Sequence, residues 1–176
     1  MVSLRAVLPT RSGRFGLLLL LALAFGLWFV PGLNVLNYYA CLVLAFPAGL
    51  VAGVVGARQA ASSVDPRKAF LRAAAAAAVL VSLPTLVLVV NAVRVPNCDV
   101  LEGLAFAAVG PGASALVASQ WGAACGLLLR RPGRAAWLFV GVWLLWAGAD
   151  LAHFYTQPAV FAFNPFVGFF SGAVYD

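Results

Sequence analysis

The sequence predicts an all-α fold: a polytopic membrane bundle of five transmembrane helices with an aromatic segment at its outer surface. Three observations predict it. The 176-residue chain is 64% hydrophobic and 9% charged, far from the roughly one-quarter charged residues of a soluble domain. Its apolar residues gather in runs of about 20, the length that crosses a hydrocarbon core of about 30 Å. Ten of the eleven Lys and Arg residues fall in three clusters: Arg5, Arg11 and Arg14; Arg58, Arg67, Lys68 and Arg72; and Arg130, Arg131 and Arg134. An apolar hairpin separates each cluster from the next, and only Arg94 stands apart. Basic residues beside apolar spans stay on the cytoplasmic side. The clusters therefore predict a cytoplasmic N-terminus, five crossings and an extracytoplasmic C-terminus in the inner (plasma) membrane. Residues 1–176 then form one membrane domain with no room for a separate soluble one.

The first span is expected over 15–30, ending at Pro31 and Gly32. Its basic start resembles a secretory signal, but the apolar run continues past Ala22 and Ala24 and a second span follows at once, so it is read as retained. It is short for the core, so Gly13 or the turn up to Asn34 is expected to lengthen it, or the bilayer to thin. The second span is expected over 36–56, with Asn37, Tyr38 and Tyr39 at the interface. Asp65 and Pro66 form a helix-start signal, with Asp as cap and Pro in the first turn. The third span is expected over 73–93, and its six alanines at 73–78 offer a narrow surface for close packing. Arg94, Cys98, Asp99 and Glu102 occupy the outer turn. The fourth span, 103–129, is interrupted by Gly110, Pro111 and Gly112. The fifth, 135–152, carries Trp137, Trp143 and Trp146.

The stretch 153–176 holds eight Phe and Tyr residues and no Lys or Arg. A sixth crossing over 158–174 would be short, broken by Asn164, Pro165 and Gly168, and without a basic anchor. An outer interfacial segment is favoured, with a short helix starting at Asn164 and Pro165 and placing Phe163, Phe166 and Phe169 or Phe170 on one side. Lacking a charged face, this segment is expected to pack on the bundle, dip into the membrane or meet a partner.

The net charge of +6 does not point to nucleic acid, because apolar spans divide the basic face that such binding needs. Anionic lipid headgroups are the expected partners, with no specific site required. Cys41 and Cys125 lie in apolar spans and Cys98 alone in a loop, which predicts packed or free thiols. One His and no Cys-x-x-Cys pair predict no metal site, and zincin, Walker and dinucleotide motifs are absent, so no cofactor is expected.

Pro47, Pro84 and Pro111 each remove a backbone hydrogen bond within a span and are read first as kinks. The sharpest is Pro111, flanked by two glycines. With Ser114, Ser119 and Gln120 nearby, it is the first place to look for a ligand inside the bilayer. Gly49 with Gly53, and Gly122 with Gly126, are GxxxG-type pairs expected to form internal helix contacts. Asp150 and His153, at i and i+3, share a helix face; a proton relay or a metal contribution competes there with a solvated or capping pair, and their depth near headgroup water favours the latter. Gly112, Ala113 and Ser114 are similar to the Gly-x-Ser-Gly motif of rhomboid proteases but lack its final Gly. Ser114 also lies about 16 Å below the outer end of its span, whereas His153 lies at the surface.

The string Phe161-Ala-Phe-Asn-Pro-Phe-Val-Gly-Phe-Phe-Ser-Gly-Ala-Val-Tyr-Asp176 resembles the junction in certain bacterial membrane proteins where a multi-span module leads into an extracytoplasmic peptidase-like domain. The resemblance includes no catalytic motif and implies an outward C-terminus that contacts a domain or partner. The expected function is therefore a non-enzymatic membrane anchor or scaffold. The alternatives are a small transporter or channel-like protein built on the second to fourth helices and, more remotely, an intramembrane protease.

Overall fold

Most of the turns between helices end on a side chain that starts the next helix. The computed structural model describes residues 10–95, 99–156, 161–164 and 168–171. Its elements are α1 (Arg11–Leu27), α2 (Tyr38–Ala61), α3 (Pro66–Asn91), α4 (Val100–Leu129), α5 (Pro132–Thr156), β1 (Phe161–Asn164) and β2 (Gly168–Ser171). The Thr10 hydroxyl accepts from the Gly13 N–H at 3.1 Å, Asn37 Oδ1 from Ala40 at 2.9 Å, Asp65 Oδ1 from Arg67 at 3.0 Å, and Asp99 Oδ1 from Glu102 at 2.9 Å. Each cap satisfies a backbone donor that the helix leaves orphaned and contributes about 1 kcal/mol.

The caps also explain where helix ends depart from expectation. Thr10 starts α1 ahead of residue 15, and successive i→i−3 bonds from Trp28, Phe29 and Val30 tighten the chain into a turn before residue 30. Helix α2 continues past Gly56 through Arg58 to Ala61. Helix α3 begins at Pro66, as the Asp-Pro signal predicts. Helices α2, α3 and α4 are long and apolar enough to cross a membrane. At 17 residues, α1 is about 25 Å long.

Helix α2 is central and touches each of the other four helices. Leu17 and Leu20 of α1, Ala48, Ala52 and Val55 of α2, Ala76 and Leu80 of α3 and Ala115 of α4 share one buried cluster. The α2–α4 seam is closed by glycine. A Cβ on Gly122 would overlap the Gly53 carbonyl, one on Gly56 the Ser119 carbonyl, and one on Gly126 the Ala57 carbonyl. The expected GxxxG contacts are thus internal ones, bringing two backbones together as small residues allow. Gly53 also lies under the Phe139 ring of α5, which is fully buried.

The basic clusters gather at one end of the bundle. Arg11 and Arg58 line a common groove, and the Arg130 guanidinium donates to the Ser63 carbonyl. Arg130 takes the left-handed conformation (φ 53°) that ends α4. Arg5 lies outside the described residues. At the opposite end a polar clamp joins α1, the α1–α2 turn and α3. Trp28 Nε1 donates to the Val87 carbonyl (3.2 Å), Asn91 Nδ2 to the Asn34 carbonyl (2.6 Å), and Arg94 Nη2 to the Trp28 carbonyl (3.1 Å).

The C-terminal stretch corrects one expectation: its described residues contain no helix of the kind expected to start at Asn164 and Pro165. Phe161–Asn164 and Gly168–Ser171 instead pair as an antiparallel hairpin, with Phe163 opposite Phe169. Pro165 pushes the residue before it into extended backbone, Gly168 weakens a helix, and Phe favours strands. Phe163 and Phe169, in paired strands, therefore do not share a helical stripe. Strand β2 lies beside residues 108–112 of α4, so the hairpin runs along the flank of the bundle.

Candidate functional site

The break expected at Gly110, Pro111 and Gly112 is an unbroken π-helical turn, Ala108–Gly112. Proline lacks the N–H that an α-helix would use, and widening the turn absorbs the misfit: the Ala113 N–H donates to the Ala108 carbonyl five residues back. Such turns occur often at functional sites. The chain does not unwind, because the glycines flanking Pro111 accommodate the wider turn.

Two features flank this turn. Toward the bundle axis, Pro111 is fully buried and meets Pro84, Leu20, Leu44 and Thr85 around a void of only about 10 Å³. A void of that size holds no ligand between the kinked helices. On its other side, α3 and α4 diverge into a cleft of about 610 Å³. The alanine run supplies Ala74, Ala77 and Ala78, and the turn supplies Ala108 and Gly112. Ser82 and Thr85 are the polar side chains on its wall, so the cleft suits an apolar occupant.

Ser114, Ser119 and Gln120 do not open into this cleft. Ser114 is completely buried, and its hydroxyl has no hydrogen-bond partner. Ser119 donates to the Leu116 carbonyl at 2.8 Å and accepts from Gln120 Nε2 at 3.2 Å. Serine and glutamine thus satisfy one another on the helix, which spacing alone does not reveal.

Asp150 is half-buried on α5, on a shallow groove with Val142, Leu145, Trp146 and Ala149. Helix α5 runs on through residue 153 to Thr156, four residues beyond the expected end at residue 152. Asp150 and His153 therefore keep their i, i+3 relation along the backbone, while the His153 side chain lies outside the described residues. Phe163 and Phe169 stand in opposing strands, and Phe166 and Cys98 lie outside the described residues. Cys41 and Cys125 are buried free thiols. Among the described residues no three His, Cys, Asp or Glu side chains cluster.

The α3–α4 cleft is not legible in the sequence, because it is made by helices that meet only in three dimensions. The alanine run was the one visible sign of the α3–α4 cleft. Comparison with protein-family models, curated proteins and solved structures finds no match for this chain.

Proposed function

We propose that the chain is a multi-pass inner-membrane module of five crossing helices, with its N-terminus cytoplasmic and its C-terminus extracytoplasmic. It acts as a non-enzymatic anchor or scaffold for an extracytoplasmic domain or partner. The observation that carries this reading is the contrast between its ends. Arginines crowd one end, where they would be held at the cytoplasmic face. From the other end the chain leads into a two-stranded hairpin rich in Phe. The hairpin, held against residues 108–112 of α4, is the element at that end of the chain that a partner would contact. The glycine seam makes α2 and α4 a stiff support.

Truncation after Ala152 tests the reading. The shortened chain should still insert and fold while losing the cross-links and co-purifying partner that the full chain retains in mild detergent. Unchanged association after truncation would remove the hairpin from the working surface.

A transporter is the second reading, favoured by the π-helical turn on the wall of the α3–α4 cleft. The cleft's apolar lining restricts such a role to hydrophobic solutes. Flux into proteoliposomes decides it, and no uptake across an apolar and polar solute panel would exclude it.

A further inference from the structure

A second groove, of about 460 Å³, runs between α1 and α2 at the basic end. It exists because Gly16 has no side chain. A Cβ there would overlap Val51, so the two helices touch at that point. Its walls are Phe15 and Leu19 from α1 and Leu50 and Val54 from α2. Phe15 and Leu19 are 70% and 51% exposed, so much of this apolar wall stays uncovered.

At the mouth stand Arg11 and Arg58, from different helices, with Ser12 beside them. The Ser12 hydroxyl donates to Thr10 Oγ1 at 3.2 Å. Among the described residues no Asp or Glu lines the groove, and the first turn of α1 contains none. The positive charge there is unbalanced by the groove itself, and the N-terminal end of α1 adds to it. Guanidinium groups bind phosphate through paired, charge-assisted hydrogen bonds.

We propose that this groove is a specific site for one anionic phospholipid. Its phosphate lies between Arg11 and Arg58, and the first part of an acyl chain lies over Gly16 between the apolar walls. From Arg11 to Leu19 the groove follows nine residues of α1, about 12 Å of helix. Free phosphate would use the mouth alone, whereas a phospholipid matches the mouth and the walls together. The site refines the expectation that anionic headgroups meet the basic clusters without a specific position. It rests on the membrane location, and not on the scaffold reading.

Native mass spectrometry of the full chain in detergent tests it, with dioleoyl phosphatidylglycerol, dioleoyl phosphatidylcholine and inorganic phosphate as probes. Phosphatidylglycerol should bind as a single copy, about tenfold tighter than phosphatidylcholine. The Arg11→Gln/Arg58→Gln variant should lose about that tenfold preference, while Arg67→Gln/Arg72→Gln, with the same change of charge, should stay within about twofold. Leu50→Trp fills the groove without touching charge and should also weaken binding. All these changes are at groove or surface positions, and circular dichroism checks that each variant keeps its helix content. Equal loss in both double variants would reduce the effect to diffuse charge and overturn the site. So would displacement by inorganic phosphate, or unchanged affinity in Leu50→Trp. Flotation with membranes is scored in parallel: protein that stays soluble without lipid refutes the membrane location, whereas protein that floats with no lipid preference refutes this site alone.

Discussion

Helix α4 meets α2 on one face and α3 on another, both through small residues, with opposite results. Against α2, Gly122 and Gly126 sit directly over the Gly53 and Ala57 carbonyls, and nothing larger than hydrogen fits. Against α3, alanines face Leu104, Ala107, Ala108 and Gly112 across a cleft of about 610 Å³. Small residues permit contact but do not impose it. The glycines of the seam are placed so that each lies under a carbonyl of the other helix. The α3–α4 face instead spans the π-helical turn, where Pro111 alters the helix and Pro84 stands inside its neighbour. One interface is locked, and the other is left open to apolar occupants.

The contrast is broken most severely at the seam. Gly122→Leu should destabilise the bundle by about 3 kcal/mol or more, because the added side chain meets backbone that has nowhere to go. Denaturant unfolding in detergent, followed by circular dichroism, measures it; a change below about 1 kcal/mol would mean that the seam is not tightly packed. Next comes the clamp beyond the cleft. Asn91→Ala removes the bond to the Asn34 carbonyl in a buried site and should cost about 1 to 2 kcal/mol in the same assay.

Ser114→Ala lies between the two faces and should be neutral or stabilising by up to about 1 kcal/mol, since the hydroxyl is buried without a partner. In cells it should leave abundance and phenotype unchanged; abolished turnover of a substrate at normal abundance would favour an intramembrane enzyme. Smallest of all is Ala78→Leu, on the open face. There the longer side chain has room, and unfolding should shift by no more than about 0.5 kcal/mol. A penalty as large as that of Gly122→Leu would erase the difference between the two faces.

Much of the bundle is legible in the sequence because its causes are local. The Asp65-Pro66 start, the Asn37 interface, the proline within α4 and the GxxxG pairs depend on residues within a turn of one another. What escapes the sequence depends on partners distant in the chain. That α2 pairs with α4 rather than only with its hairpin neighbours is decided by glycines some 70 residues apart meeting in register. The groove at Arg11 and Arg58 needs Gly16 to meet Val51. The hairpin was misread because an Asn-Pro pair opens helices as readily as it ends strands, and Phe-rich runs suit either until a pairing strand is found. Of the candidate site, Pro111 was visible as an irregularity, but the side on which the cleft would open was not.

Everything proposed for the two ends depends on which of them faces the cytoplasm. Ser62, in the turn at the basic end, and Val93, at the opposite end and 94% exposed, are suited to decide it. In a background lacking Cys41, Cys98 and Cys125, Ser62→Cys and Val93→Cys are treated separately in intact cells with a membrane-impermeant maleimide. The account predicts that Val93→Cys is labelled at once and Ser62→Cys only after the membrane is permeabilised. Labelling of Ser62→Cys in intact cells, with Val93→Cys protected, would invert the molecule and contradict the account.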